Sequence, residues 1–247
     1  MKKKVLKVIA PLAFWLALWT LGARVVGKEL LLPSPAASLQ TLLALLGEGG
    51  FWRAIAATMG RVTAGALVGS LLGMAFGTAT AAWGWCDTLF TPAMKTARTV
   101  PVVSFILLLY FWLPSGQVPV AAAALMALPV VWRATRQGIA AADPRLLEAA
   151  GHYRLGRWKT ARLVYLPGAM PALCAGWENA LGLAWKAGVA AEVLCQPKWA
   201  AGSALQSAKA YLDAPALFAW TVVVVALSLG MEALLHMALG PWRKEGR

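Results

Sequence analysis

Uncharged apolar stretches alternate with short charged segments along this chain, and that rhythm predicts helices that cross a bilayer. Val8 to Ala23 carries no charge and follows Lys2, Lys3, Lys4 and Lys7. It reads as a first span with its N-terminus inside, not as a secretory signal, because no soluble body follows it. Val62 to Cys86 is a second uncharged run, and Thr99 to Trp132 a third. Pro114, Ser115, Gly116 and Gln117 break the third near its middle, which predicts a hairpin of two spans. Leu163 to about Leu194 and Ala214 to about Leu239 make a fifth and a sixth span.

Two polar-flanked stretches between spans predict short helices on the outer side. Ser34 suits an N-cap, Pro35 the first helical position and Gly47 the C-terminus, while Leu39, Leu42, Leu43 and Leu46 recur at helical spacing. Such a helix serves as an interfacial anchor or as a docking surface for an outer partner. Ser203 to Leu212 predicts a second one, ended near Asp213 and Pro215.

Composition turns this pattern into a class. Of 247 residues, 60% are hydrophobic and 13% charged, about half the charge of a soluble protein. At about 20 residues per span, the length holds about five to seven helices. The net charge of +13 reports topology and not nucleic acid, since cytoplasmic loops collect Lys and Arg. With six spans and both termini inside, only Arg24, Lys28, Arg53, Arg61, Lys186, Lys198 and Lys209 escape the cytoplasmic segments, out of 23 Lys and Arg. The expected fold is an all-α integral membrane protein of about six transmembrane helices, N- and C-termini cytoplasmic, forming one domain over residues 1–247.

Small residues form ridges on two of these helices. Gly65, Gly69, Gly73 and Gly77 recur every four residues, as do Gly168, Ala172, Gly176, Ala180, Ala184 and Gly188. In lipid, such ridges let backbones approach closely. They serve packing within one subunit, a homodimer face or the wall of a path. Near the second ridge stand Glu178, Lys186 and Glu192, and ionisable groups at bilayer depth face protein or water and mark pathways. Lys186 either lines such a path or snorkels to the outer interface.

Other chemistry is not supported. Gly22 to Lys28 matches the first seven places of a phosphate-binding loop, but Glu29 stands where the motif needs a hydroxyl, and a membrane helix stands where it needs a strand. His152 and His236 have no partners at metal-ligand spacing, and Cys86, Cys174 and Cys195 fall at three different depths. No catalytic residue, metal or cofactor is expected.

The most informative segment is the cytoplasmic loop at about 141–166. Asp143 caps a helix that Pro144 starts, Arg145 to Ala150 form its body, and Arg157 to Tyr165 can form a second short helix before Leu166 and Pro167. Glu148-Ala149-Ala150, then Arg157-Trp158, then Leu166-Pro167 and Pro171, in that order, resemble the EAA coupling loop of ABC importer permease subunits of the nitrate, sulfonate and taurine type. Leu32-Pro33-Ser34-Pro35, Asp143-Pro144-Arg145-Leu146-Leu147, Leu181 to Trp185 and Ala191-Glu192 extend that similarity over nearly the whole chain. One position departs from it. Six residues after Glu148, where the family carries Gly, stands Arg154, with Gly151 and Gly156 on either side, so the turn is expected to be built differently.

The resemblance implies a multi-pass permease in the bacterial inner membrane that dimerises, docks cytoplasmic ATP-binding subunits and receives a small solute, an organic or inorganic anion, from an extracytoplasmic binding protein. ATP hydrolysis would belong to a separate subunit. Glu148, Ala149, Ala150, Gly151, Arg154, Arg157 and Pro167 would carry the coupling, and Gly176, Ala180, Ala184, Lys186 and Glu192 the path or dimer face. A secondary transporter, or a membrane enzyme acting on anionic lipid headgroups with His152 in its site, are the alternative readings.

Overall fold

A computed structural model describes the backbone of residues 2–244 and the side chains of residues 10–242 apart from position 12. The cytoplasmic ends expected at Met1 and residues 245–247, and the flanking charges Lys2, Lys3, Lys4, Lys7, Arg243, Lys244 and Arg247, lie outside the described residues or side chains.

In chain order the helices are α1 Lys2–Val26, α2 Pro35–Leu46, α3 Gly49–Ala82, α4 Gly84–Thr99, α5 Val102–Trp112, α6 Val118–Ala140, α7 Pro144–His152, α8 Arg157–Thr160, α9 Leu166–Cys195, α10 Ala201–Ala210 and α11 Ala214–Lys244. Among the described residues the regular structure is all helical, and α3, α6 and α9 form its centre. Val62, Ala66, Ala123, Ala127, Val131, Ala180, Ala184 and Trp185 are buried between them. The glycine ridge of α3 is what brings α3 and α6 together. A Cβ on Gly69 would overlap the Ala124 carbonyl oxygen, and one on Gly73 would lie 2.7 Å from the Leu128 oxygen. This ridge is therefore filled from within the same chain.

Among the described residues, α3, α6 and α11 are long and apolar enough to cross a membrane. The expected hairpin of two spans at Thr99 to Trp132 needs correction. Its first arm, α5, has 11 residues, about 16 Å of helix against a hydrocarbon core of about 30 Å. It is joined to α4 at a bend of 106°, where Pro101 offers no N–H and pushes Val100 out of the helical region. Taken together, the pair has the length and apolar character of one broken span or of a re-entrant loop. Arg136 fastens α4 to α6, with Nη1 2.7 Å from Asp87 Oδ1 and its guanidinium 5.4 Å from the Trp132 ring.

Helix α3 starts at Gly49, well before Val62, and carries Arg53 and Arg61 within it. The two short helices expected between spans both form, as α2 and α10. Ser34 Oγ accepts from Ala37 N at 3.1 Å with Pro35 at the first position of α2. Leu42 and Leu45 pack toward Phe51 and Trp220, while Leu39, Leu43 and Leu46 stay exposed, so only part of the leucine stripe faces the protein. Gly27, with φ 62, ends α1.

Candidate functional site

The loop between α6 and α9 is a compact hairpin with a small core of its own. Asp143 Oδ1 accepts from Arg145 N at 2.8 Å, which satisfies one of the free N–H groups opening α7. Ala142, Ala150 and Val164 are buried together, with Leu147, Leu155 and Tyr165 packed around them. Of the Glu148-Ala149-Ala150 triplet, Ala150 thus points into the hairpin while Glu148 and Ala149 face out. Leu146, Tyr153 and Trp158 are exposed beside them, as are Gly151, Arg154 and Arg157.

The turn that closes α7 corrects one expectation. The left-handed residue is Arg154, at φ 49, and among the described residues Gly27 is the one glycine with positive φ. Gly151 is helical and Gly156 has φ −63. Leu155 N donates to Ala150 O at 2.9 Å and Arg154 N to Gly151 O at 3.0 Å, the wrap-around closure that normally uses glycine. Arg154 therefore takes the backbone conformation that suits glycine, and the flanking glycines do not replace it.

The second short helix is also not separate. Arg157–Thr160 runs through a π-helical segment, Ala161–Tyr165, directly into α9, with helical angles at Thr160, Ala161, Tyr165 and Leu166. Pro167 cannot donate to the turn before it, and a widened π turn is one way a helix absorbs such a gap. The second arm of the hairpin is consequently continuous with α9.

Helix α9 presents two different environments. Gly176 packs on Ala134 of α6, a Cβ on Gly188 would lie 2.6 Å from Val62 of α3, and Ala180 and Ala184 are 1% and 0% exposed. These small residues meet helices of their own chain, so Gly176, Ala180 and Ala184 serve packing within one subunit in this structure. Glu192 is also internal, at 0% exposure. Its carboxylate accepts from Thr58 Oγ1 at 2.8 Å, Arg61 Nη1 at 3.1 Å and Gly202 N at 3.2 Å. Arg61 donates further to the Lys198 and Trp199 carbonyls at 2.8 and 3.0 Å. Glu192 ties α3, α9 and α10 together.

Lys186 stands on the other side of α9, exposed, in a cleft of about 600 Å³ between α9 and α11. Glu178, Asn179 and Gly182 share its wall, and Glu232 and His236 form the opposite one. His236 Nδ1 lies 2.9 Å from Glu178 Oε1. Glu232 and His236 were not expected to join this group. Both lie inside the expected sixth span at i, i+4 spacing, and that intramembrane position was the signal available in the sequence.

These features match known transport proteins. The model of the family described as binding-protein-dependent transport system inner membrane component matches residues 65–238, which include the hairpin and both walls of the cleft. The taurine transport system permease protein TauC of Escherichia coli K12 is 27% identical over 238 residues, covering 92% of this chain and 86% of that protein. A probable ABC transporter permease protein of Brucella melitensis biotype 1 is 30% identical over 230 residues, covering 91% and 89%. The inward-facing MetNI methionine ABC transporter has the same fold, with a TM-score of 0.65 at 15% identity over 80% of this chain and 97% of that one. The relatives are transport subunits, not enzymes, and ATP hydrolysis belongs to a separate subunit. With a family match over most of its length, the chain belongs to the inner membrane components of binding-protein-dependent transport systems, the permease subunits of ABC importers.

Proposed function

We propose that this permease is a single transmembrane domain over residues 1–247, spanning the bacterial inner membrane six times with both termini cytoplasmic. The spans are α1, α3, the bent pair α4–α5, α6, α9 and α11. Counted this way, α2 and α10 fall outside and the 141–166 hairpin inside, in keeping with the concentration of Lys and Arg there. The hairpin docks a cytoplasmic ATP-binding subunit through Glu148, Ala149, Gly151, Arg154 and Arg157, while Ala150 and Pro167 shape it. A second copy completes the path, and an extracytoplasmic binding protein delivers a small solute bearing an acidic group, as for the taurine permease relative.

One observation carries this reading. The exposed face of α7 combines Leu146 and Tyr153 with Arg145 and Glu148 on a hairpin fused to α9, so a push on that face moves a membrane-crossing helix as a rigid body. Copurification tests it. The tagged chain, expressed with its ATP-binding subunit and binding protein, should retain the ATP-binding subunit in mild detergent, and its absence from the purified complex would reject the docking assignment.

A further inference from the structure

The cleft between α9 and α11 holds charges of both signs, and one of each is uncommitted. Glu178 is engaged with His236. Lys186 and Glu232 form no hydrogen bond or ion pair with any described residue, although both line the same space. Neither position is at a membrane surface on the six-span reading. Lys186 is nine residues before the end of α9 at Cys195, and Glu232 is seven before Leu239, near which the apolar run of α11 stops, about 14 and 10 Å along the helices. A carboxylate on a short stem cannot reach water over that distance, and uncompensated charge at such depth marks a functional site.

The geometry relates the two charges. Glu232 Oε1 sits over Gly182, 3.4 Å from where a Cβ there would be, and Lys186 follows Gly182 by one helical turn, about 6 Å of rise. Gly182 leaves the wall open between them. A simple anion drawn to Lys186 would meet the Glu232 carboxylate one turn away, and a simple cation would meet the ammonium. A small molecule carrying an ammonium and an acid a few bonds apart satisfies both groups at once and adds no net charge to the site. The depth is wrong for a lipid headgroup, which stays at the interface.

We propose that this cleft binds a small zwitterion, its ammonium on Glu232 and its acid group on Lys186. The proposal rests on the permease reading and narrows its solute class from acids in general to amino acids in the broad chemical sense, sulfonic or carboxylic. Glu178 and His236 complete the wall and hold its shape at the inner end.

The test uses the complex of the chain with its ATP-binding subunit in lipid nanodiscs, without binding protein. Calorimetry compares taurine and β-alanine with ethanesulfonate and propionate, which lack the ammonium, and with ethylamine, which lacks the acid. At least one zwitterion should bind on the order of tenfold more tightly than its single-charge analogues, the effect of one charged contact. Glu232→Gln should remove the preference over the acid alone, and Lys186→Met the preference over ethylamine. Should these variants not assemble, Glu232→Asp and Lys186→Arg keep the charges but move them, and should weaken zwitterion binding while ranking the probes as before. No saturable binding, equal binding of all five probes, or a preference that survives Glu232→Gln would overturn the proposal. A complex that assembles but shows no preference rejects the cleft assignment alone, whereas a chain that never retains the ATP-binding subunit rejects the permease reading and this site with it.

Discussion

Arg61 on α3 and Glu192 on α9, 131 positions apart, meet at 3.1 Å, and the same guanidinium donates to the backbone carbonyls of Lys198 and Trp199. One side chain thereby joins two central helices to the loop that leads into α10. That loop needs holding, because Gln196 and Trp199 both have positive φ, at 45 and 54. Removing one partner of a buried pair leaves an uncompensated charge and costs about 3–5 kcal/mol, while removing both costs much less. Arg61→Met should therefore lower the thermal midpoint of the solubilised chain far more than the double change Arg61→Met with Glu192→Gln. A double change that costs as much as Arg61→Met alone, or more, would mean that the carboxylate left unpaired carries no penalty.

Arg154 supplies a test of backbone strain. A non-glycine residue in the left-handed region costs about 1–2 kcal/mol, and the extra freedom of glycine in the unfolded chain returns about 0.5–1 kcal/mol of that. Arg154→Gly should raise stability by about 0.5–1 kcal/mol, read as a higher melting temperature. Gly151→Ala, by contrast, places a methyl where nothing lies within 4 Å inside helix α7, and should be neutral or stabilising by up to about 1 kcal/mol.

The coupling assignment predicts a separation of folding from partner binding. Glu148 is exposed and makes no side-chain contact that the hairpin depends on. Glu148→Lys reverses its charge without entering a span, so membrane levels should stay at those of the original protein while the ATP-binding subunit is lost on purification. Normal retention of that subunit would remove Glu148 from the docking face.

Gly176→Leu separates internal packing from a dimer face. The space beside Gly176 is occupied by Ala134 of the same chain, and overpacking costs about 1–3 kcal/mol or more. The variant should give less folded protein at every concentration. A well-folded variant that only fails to dimerise would restore the ridge to an intersubunit role.

Much of the fold was legible without coordinates because its signals are local. Ser34 with Pro35, and Asp143 with Pro144, are capping patterns that need only a few residues, and α2 and α7 begin where they stand. Long uncharged runs located α6 and α11 because each residue's transfer into lipid is nearly independent of its neighbours' identity. The same reasoning truncated α3 at Val62, since a charge such as Arg61 ends an apolar run unless its partner is known, and its partner lies on another helix.

What only the tertiary structure decided is which side of each helix meets which neighbour. The ridge containing Gly176, Ala180 and Ala184 was compatible with packing, a dimer or a path, and the position of α6 and α3 settled it as packing. Glu192 and Lys186 looked alike as intramembrane charges two turns apart. One is closed off by Thr58, Arg61 and Gly202 and the other opens on Glu232. Periodicity gives the angle of a residue around its own helix, but its surroundings depend on the rotation and crossing of helices more than a hundred residues away in the chain, and close packing of whole surfaces sets those.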